Sequence, residues 1–309
     1  MRTLIIGSRA SRLALLQAGW VREWIESLGR PARIQVIRTS PDLLRDRPLA
    51  TFGGKGIVVR EIEDALLGGS IDLAVHSLKD LPTAQPAGLR IACFPRREDP
   101  RDLLVSRDGS GIAGLGPGAV LGTGSPRRAC QIRALRPDLT IRDLRGNVDT
   151  RLRKVERGDY DAIVLAVAGI RRLNAPVRGT PFDLDEMIPA VGQGALAVEI
   201  RSGDGELAAL LAGLHDPPTA AAVEAERAFL RGLGGGCQAP IAAIGVTEGD
   251  RLTLRGLVGD LGSGRILRGR REGSSGDPER LGGALAESLL RRGAEEIVRR
   301  APAPPADAP

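Results

Sequence analysis

Strand-length apolar runs that break off into polar loops and then into helix starts recur along this chain, and they leave few folds open. Thr3 to Gly7 reads as a strand. Gly7-Ser8-Arg9-Ala10-Ser11-Arg12 follows as a loop, and a helical pattern then runs through Leu13, Leu16, Val21, Trp24, Ile25 and Leu28, with Ser11 as its N-cap. The plan returns at Ala119 to Gly122, where Thr123-Gly124-Ser125-Pro126-Arg127-Arg128 opens a helix with Ser125 at the N-cap and Pro126 in the first helical position. It returns again at Thr140 to Leu144, followed by Arg145-Gly146-Asn147 and a helix capped by the asparagine. Ala162 to Ala168 is apolar throughout, as expected of a strand buried in a parallel sheet. Alternating strands and helices of this kind specify an α/β fold. After Pro240 the pattern changes. Short strands over Ile241–Val246, Arg251–Val258 and Ile266–Arg271 precede a helix from about Pro278 to Val298, which predicts a small α+β domain with an antiparallel sheet.

One strand carries chemistry at its end. In Ile71-Asp72-Leu73-Ala74-Val75-His76-Ser77-Leu78-Lys79-Asp80-Leu81-Pro82 the apolar alternation stops at Val75, and a base, a hydroxyl, an ammonium and a carboxylate arrive within five positions. Ligands of α/β sheets bind at the carboxyl ends of strands. Most clusters of this kind are solvated turns, and this stretch by itself does not decide between the two readings. The arginines after the second strand–loop carry a sharper signal. Arg127 and Arg128 stand in the first turn of a helix, where the dipole favours anions; an acidic ligand would resolve the conflict, and the unfavourable placement favours that reading over a solvated basic turn.

Composition narrows the function. The chain has 309 residues, with 42% apolar and 27% charged residues, which suits two or three soluble globular domains. No apolar run reaches the roughly 20 residues of a membrane span. The opening residues pass straight into a strand with no signal peptide, so a cytosolic location is expected. Cys93, Cys130 and Cys237 lie far apart without metal-type spacing, and no structural disulfide is expected. Cys93 and Cys130 fall in apolar settings and read as core. Lysine stands only at 55, 79 and 154, so 41 of the 44 basic residues are arginine and the net charge is +6. With aromatic residues at 2%, stacking platforms for nucleic acid are scarce. Arginines spread over several loops suit a small polycarboxylate, because the guanidinium fork grips carboxylate bidentately. Gly53-Gly54-Lys55-Gly56 lacks the full phosphate-loop pattern, which argues against a nucleotide.

Leu233-Gly234-Gly235-Gly236-Cys237-Gln238-Ala239-Pro240 sets a cysteine in a glycine-rich loop. Together with His-Ser-Leu-Lys-Asp-Leu-Pro, it resembles the porphobilinogen deaminase (hydroxymethylbilane synthase) family, and the resemblance runs from about Ile5 to about Ile244. It implies two α/β domains of periplasmic-binding-protein type forming a hinged cleft, plus a small C-terminal α+β domain. The expected boundaries are 1–94 with 195–215 for the first domain, 100–188 for the second and 218–300 for the third. Hinges fall at about 95–99 and 189–194, and a disordered tail at 301–309.

The resemblance also implies roles. Cys237 would carry a dipyrromethane cofactor through a thioether, and Asp80 would be the catalytic carboxylate. Arg9, Ser11, Lys55, Ser77, Lys79, Thr123, Ser125, Arg127, Arg128, Arg145, Arg151, Arg172 and Gln193 would bind cofactor and substrate carboxylates, while His76 would orient its loop rather than act as a base. The expected partner is porphobilinogen, with no nucleic acid, membrane or metal, and the expected state is a monomer. The chain departs from the family at Arg12, commonly proline, at Thr51, commonly lysine, and at Val58, commonly aromatic, so no contact is carried over for Thr51 or Val58. Before Asp42 the arginine and glycine usual in the family are also missing. From another class, a non-catalytic anion-binding protein would use the same cleft without a covalent adduct. A nucleic-acid binder would lose affinity steeply with salt.

Overall fold

The computed structural model describes residues 2–38, 59–234 and 239–300. The chain begins with strand β1 (Leu4–Arg9), helix α1 (Arg12–Ser27), β2 (Ala32–Ile37), α2 (Arg60–Leu67), β3 (Leu73–Ser77) and β4 (Leu89–Cys93). It continues through β5 (Asp102–Ser106), β6 (Val120–Gly122), α3 (Pro126–Leu135), β7 (Thr140–Arg142), α4 (Val148–Glu156), β8 (Ala162–Ala166), α5 (Val167–Leu173) and β9 (Thr180–Pro181). Then come β10 (Leu196–Arg201), α6 (Gly205–Leu211), α7 (Pro217–Gly232), β11 (Ile241–Glu248), β12 (Arg251–Gly259), β13 (Ile266–Ser274), α8 (Pro278–Leu289) and α9 (Glu295–Arg300).

Two compact units result. The first comprises residues 1–98 and 195–220, and the second 99–194 and 221–302. The first unit holds a five-stranded sheet in the order β2-β1-β3-β10-β4, and the second holds another in the order β7-β6-β8-β5-β9. Each has a parallel trio, β2-β1-β3 or β7-β6-β8, followed by an antiparallel strand. The two sheets therefore share one plan, in keeping with the likeness of the strand–loop–helix stretches in sequence. In the first unit Ile6, Val21, Ile25, Leu73, Val198 and Ile200 make the fully or nearly fully buried centre between the sheet and α1. In the second unit the three-stranded sheet β11-β12-β13 is antiparallel throughout, as expected, and packs on α7 and α8 around Phe229 and Leu285. Gly256 is needed there, because a Cβ at that position would stand 2.6 Å from the Phe229 ring.

The caps form as the sequence predicts. Ser11 accepts from the Ala14 N–H, Ser125 from that of Arg128 and Asn147 from that of Thr150. Cys93 and Cys130 are buried free thiols, and burial pushes the Cys93 thiol up to about 12. Two expectations are corrected. The apolar run from Ala162 ends as a strand at Ala166, and Val167 already starts α5, so one run serves two elements. That strand pairs parallel with β6 but antiparallel with β5. The last helix is not continuous either. It breaks at Gly293, whose φ of 97° is left-handed, and restarts as α9. No helix among the described residues is long and apolar enough to cross a membrane.

Candidate active site

Because β1 and β3 are parallel neighbours, their carboxyl ends lie at one edge of the first sheet. Arg9 closes β1, and Ser11 caps α1 immediately after, where the free N–H groups of a helix start favour an anion. Ser77 closes β3, and Leu78–Asp80 then makes one turn of 3₁₀ helix that carries Lys79 and Asp80, both half-buried. Arg9, Ser11, Gln17, His76, Ser77 and Asp80 line one pocket of about 110 Å³, with Leu13, Val59 and Val75 among its apolar walls. The polar ends of two strands and the start of one helix thus converge on a cavity that sets a carboxylate among cationic and neutral donors.

Gln17 was not singled out by the sequence reading. It is 4% exposed on α1, and its Oε1 accepts from Ser77 Oγ at 3.1 Å. This fixes the amide so that Nε2 is buried with no hydrogen-bond partner among the described residues, an unmet donor in the wall of the pocket. On a helix drawn from sequence a glutamine reads as a solvent-facing residue. Only its place in the row of Ala18, Val21 and Ile25 hinted at burial.

His76 lies on the other face of β3 from Ser77. Its Nε2 is 3.1 Å from Glu199 Oε2 of β10. Glu63 of α2 is also buried, and its carboxyl is raised from the ordinary value by burial, then by the charge of Glu199, with His76 opposing and Asp64 adding. Neither glutamate was anticipated from sequence, since each belongs to an element with unremarkable local patterning.

In the second unit the basic residues converge on a residue that the sequence reading did not mark. Asp102, the first residue of β5, has no exposed surface. Arg127 Nη1 donates to its Oδ2 at 2.5 Å, and Arg128 donates to Oδ1 from Nη2 at 2.7 Å and from Nε at 3.0 Å. Burial opposes ionisation of Asp102, but the two guanidiniums override it and hold the carboxyl far below the usual range. The anion that the two arginines required at a helix start is therefore supplied by the chain itself, not by a ligand alone. Gln193 joins the same knot: its Nε2 donates to Pro100 O at 2.7 Å and to Asp102 Oδ1 at 2.9 Å, which engages both amide hydrogens. Arg172 donates to Gly194 O next to it, at 2.7 Å.

The remaining predicted residues stand around the helix starts. Thr123 Oγ1 accepts from the Ser125 N–H at 3.1 Å. Arg145 is exposed and its Nε donates to Asp143 at 2.9 Å, while Arg151 Nε donates to Gly146 O at 2.8 Å. Arg151 is pushed down to about 10 by burial and then by the charges of Arg128 and Arg145, with Asp143 opposing. Three guanidiniums this close repel one another, and an acidic ligand would relieve them. Lys55 and Cys237, with Thr51 and Val58, lie outside the described residues.

Comparison with known proteins agrees with this chemistry. The family model for the porphobilinogen deaminase dipyrromethane cofactor binding domain matches residues 4–209, and that for the porphobilinogen deaminase C-terminal domain matches residues 220–291. A porphobilinogen deaminase of Roseiflexus castenholzii is 52% identical over 96% of this chain and 98% of its own length. One of Syntrophobacter fumaroxidans is 49% identical over 96% and 97%. Among solved structures, the periplasmic binding protein STM4351 of Salmonella typhimurium is 12% identical over 71% of this chain and 94% of its own, with a TM-score of 0.39, and nothing further is drawn from that likeness. The chain belongs to the porphobilinogen deaminase family, transferases that make hydroxymethylbilane from porphobilinogen in tetrapyrrole biosynthesis.

Proposed function

We propose that Asp80 is the carboxylate that drives each condensation, and that Cys237 carries the dipyrromethane through a thioether. The observation that carries the first reading is the pocket at the ends of β1 and β3, where Asp80 stands among Arg9, Ser11, Gln17 and Ser77. Loss of ammonia from the aminomethyl carbon of porphobilinogen leaves an electrophilic azafulvene with positive charge on the pyrrole nitrogen. A carboxylate held in a confined site stabilises that charge far better than water does, and can move a proton at the ring nitrogen. Arg9, Ser11, Ser77, Lys79 and Lys55 hold substrate carboxylates through charge-assisted hydrogen bonds.

The residues present suit a cofactor bearing several carboxylates. The Nε2 of Gln17, which finds no acceptor among the described residues, can donate to such a carboxylate, and the neighbouring positive charges of Arg128, Arg145 and Arg151 favour an anion beside them. When bound, the dipyrromethane supplies the free α-carbon from which chain extension starts. Arg145, Arg151 and Arg172, with Thr123 and Ser125, pair its carboxylates and those of the added rings. Arg127, Arg128 and Gln193 contribute chiefly by fixing that basic surface on Asp102. A thiolate at Cys237 has the nucleophilicity that a thioether to the azafulvene carbon requires.

The test is Asp80→Asn, which keeps size and hydrogen bonding but removes the charge. Bilane formation should fall by about 10²-fold or more while porphobilinogen still binds. Unchanged kcat would remove Asp80 from the chemistry. The family resemblance further supports a cytosolic location and a monomeric state, and equilibrium sedimentation checks the second.

A further inference from the structure

We propose that His76 accepts the proton lost from the pyrrole α-carbon in each condensation, with Glu199 and Glu63 backing it from behind the pocket. The proposal rests on the family's reaction, and it replaces the loop-orienting role expected of His76 from the sequence. His76 lines the same pocket as Asp80, yet it is only 4% exposed and points its Nε2 into the protein toward Glu199. Behind it, Glu199 is fully buried and Glu63 is 8% exposed. Glu63 Oε1 and Glu199 Oε1 are both buried with no hydrogen-bond partner among the described residues.

A purely structural filling of this space would be hydrocarbon, which is usually no less stable than buried ionic groups. Two buried carboxyl groups with oxygens unmet among the described residues, one of them 3.1 Å from a histidine that lines a ligand pocket, instead make a place where a proton can be held. Burial and the nearby Glu199 favour a protonated Glu63, with Asp64 on the same helix adding to the effect. Glu199 Oε2, 3.1 Å from His76 Nε2, is placed to accept a hydrogen bond from the ring.

The step balances without an outside acid or base. After the α-carbon has bonded to the azafulvene carbon, its C–H bond breaks and the electron pair closes the aromatic ring. The proton passes to His76 Nδ1, the ring nitrogen that Glu199 does not engage, while Nε2–H stays on the Glu199 carboxylate. The ammonia already expelled from the substrate takes that proton as ammonium, which restores the neutral imidazole.

The experiment compares turnover of porphobilinogen with and without deuterium at its free α-position, using the holoenzyme, His76→Asn and Glu199→Gln. The proposal expects His76→Asn to lose about 10²-fold in kcat with little change in KM, and to show an isotope effect larger than that of the unaltered enzyme. Glu199→Gln should move both readouts in the same direction by less. A merely structural role slows every step alike and leaves the isotope effect where it was, which would overturn the proposal, as would kcat within a few-fold of the unaltered enzyme. Should His76→Asn fail to fold, Glu199→Gln decides by the same isotope criterion. If the unaltered holoenzyme made no hydroxymethylbilane, the underlying reading would fail and take the proposal with it. Bilane formed with no rise in the isotope effect in either variant would sink the proposal alone.

Discussion

Asp102 pairs with two guanidiniums at full burial, so its removal leaves charges that the surrounding protein cannot solvate. Asp102→Asn should destabilise the second unit by about 3–5 kcal/mol, read as a lower urea midpoint. The sign with pH follows from a depressed carboxyl. Its contribution is present above the ordinary carboxylate pKa and is lost as pH falls toward the folded-state value, so the gap between wild type and variant should persist through mildly acidic pH and close only in strong acid. An equal midpoint for the two proteins at neutral pH would contradict this. The sequence exposed the conflict at Arg127 and Arg128 but not its resolution, because the acid lies 25 positions earlier on another strand. Gln17, Glu63 and Glu199 escaped for a similar reason: burial of a polar side chain depends on which elements meet, and local patterning does not report it.

At the scale of elements, local chemistry was readable wherever it acts within a few residues. Ser11, Ser125 and Asn147 each cap the helix that the sequence gives them. The sequence placed Arg9 and Ser77 just past the points where the apolar alternation stops, and the structure makes each the last residue of its strand. What could not be read was how one apolar run divides between strand and helix at Val167, since both elements are buried there and periodicity does not separate them. The break at Gly293 was hidden for another reason: a glycine inside a helical pattern is compatible with either a helix or a turn. Its left-handed φ yields a direct prediction. Gly293→Ala should cost about 1–2 kcal/mol in urea unfolding. A neutral result would mean that α8 and α9 can join as one helix.

Across the whole molecule, the two α/β units were legible because each repeats a strand, a basic loop and a capped helix. The shared order of their sheets adds that the strand ends bearing Asp80 and those leading into the arginine-bearing helices occupy comparable positions in two copies of one plan. The antiparallel strands β5 and β10 complete each sheet through pairing between distant segments, which leaves no local trace in the sequence. Function was more legible than topology. The charge pattern alone pointed to a polycarboxylate, since arginines outnumber every other cation and recur where strands pass into helices. The most direct test of the central claim is the intact mass of the purified chain under denaturing conditions after incubation with porphobilinogen, with Cys237→Ser as the control. The expected result is an excess equal to two porphobilinogen units less their ammonia, present in the unaltered chain and absent from the variant. An unmodified mass in both, with no hydroxymethylbilane in the medium, would contradict it.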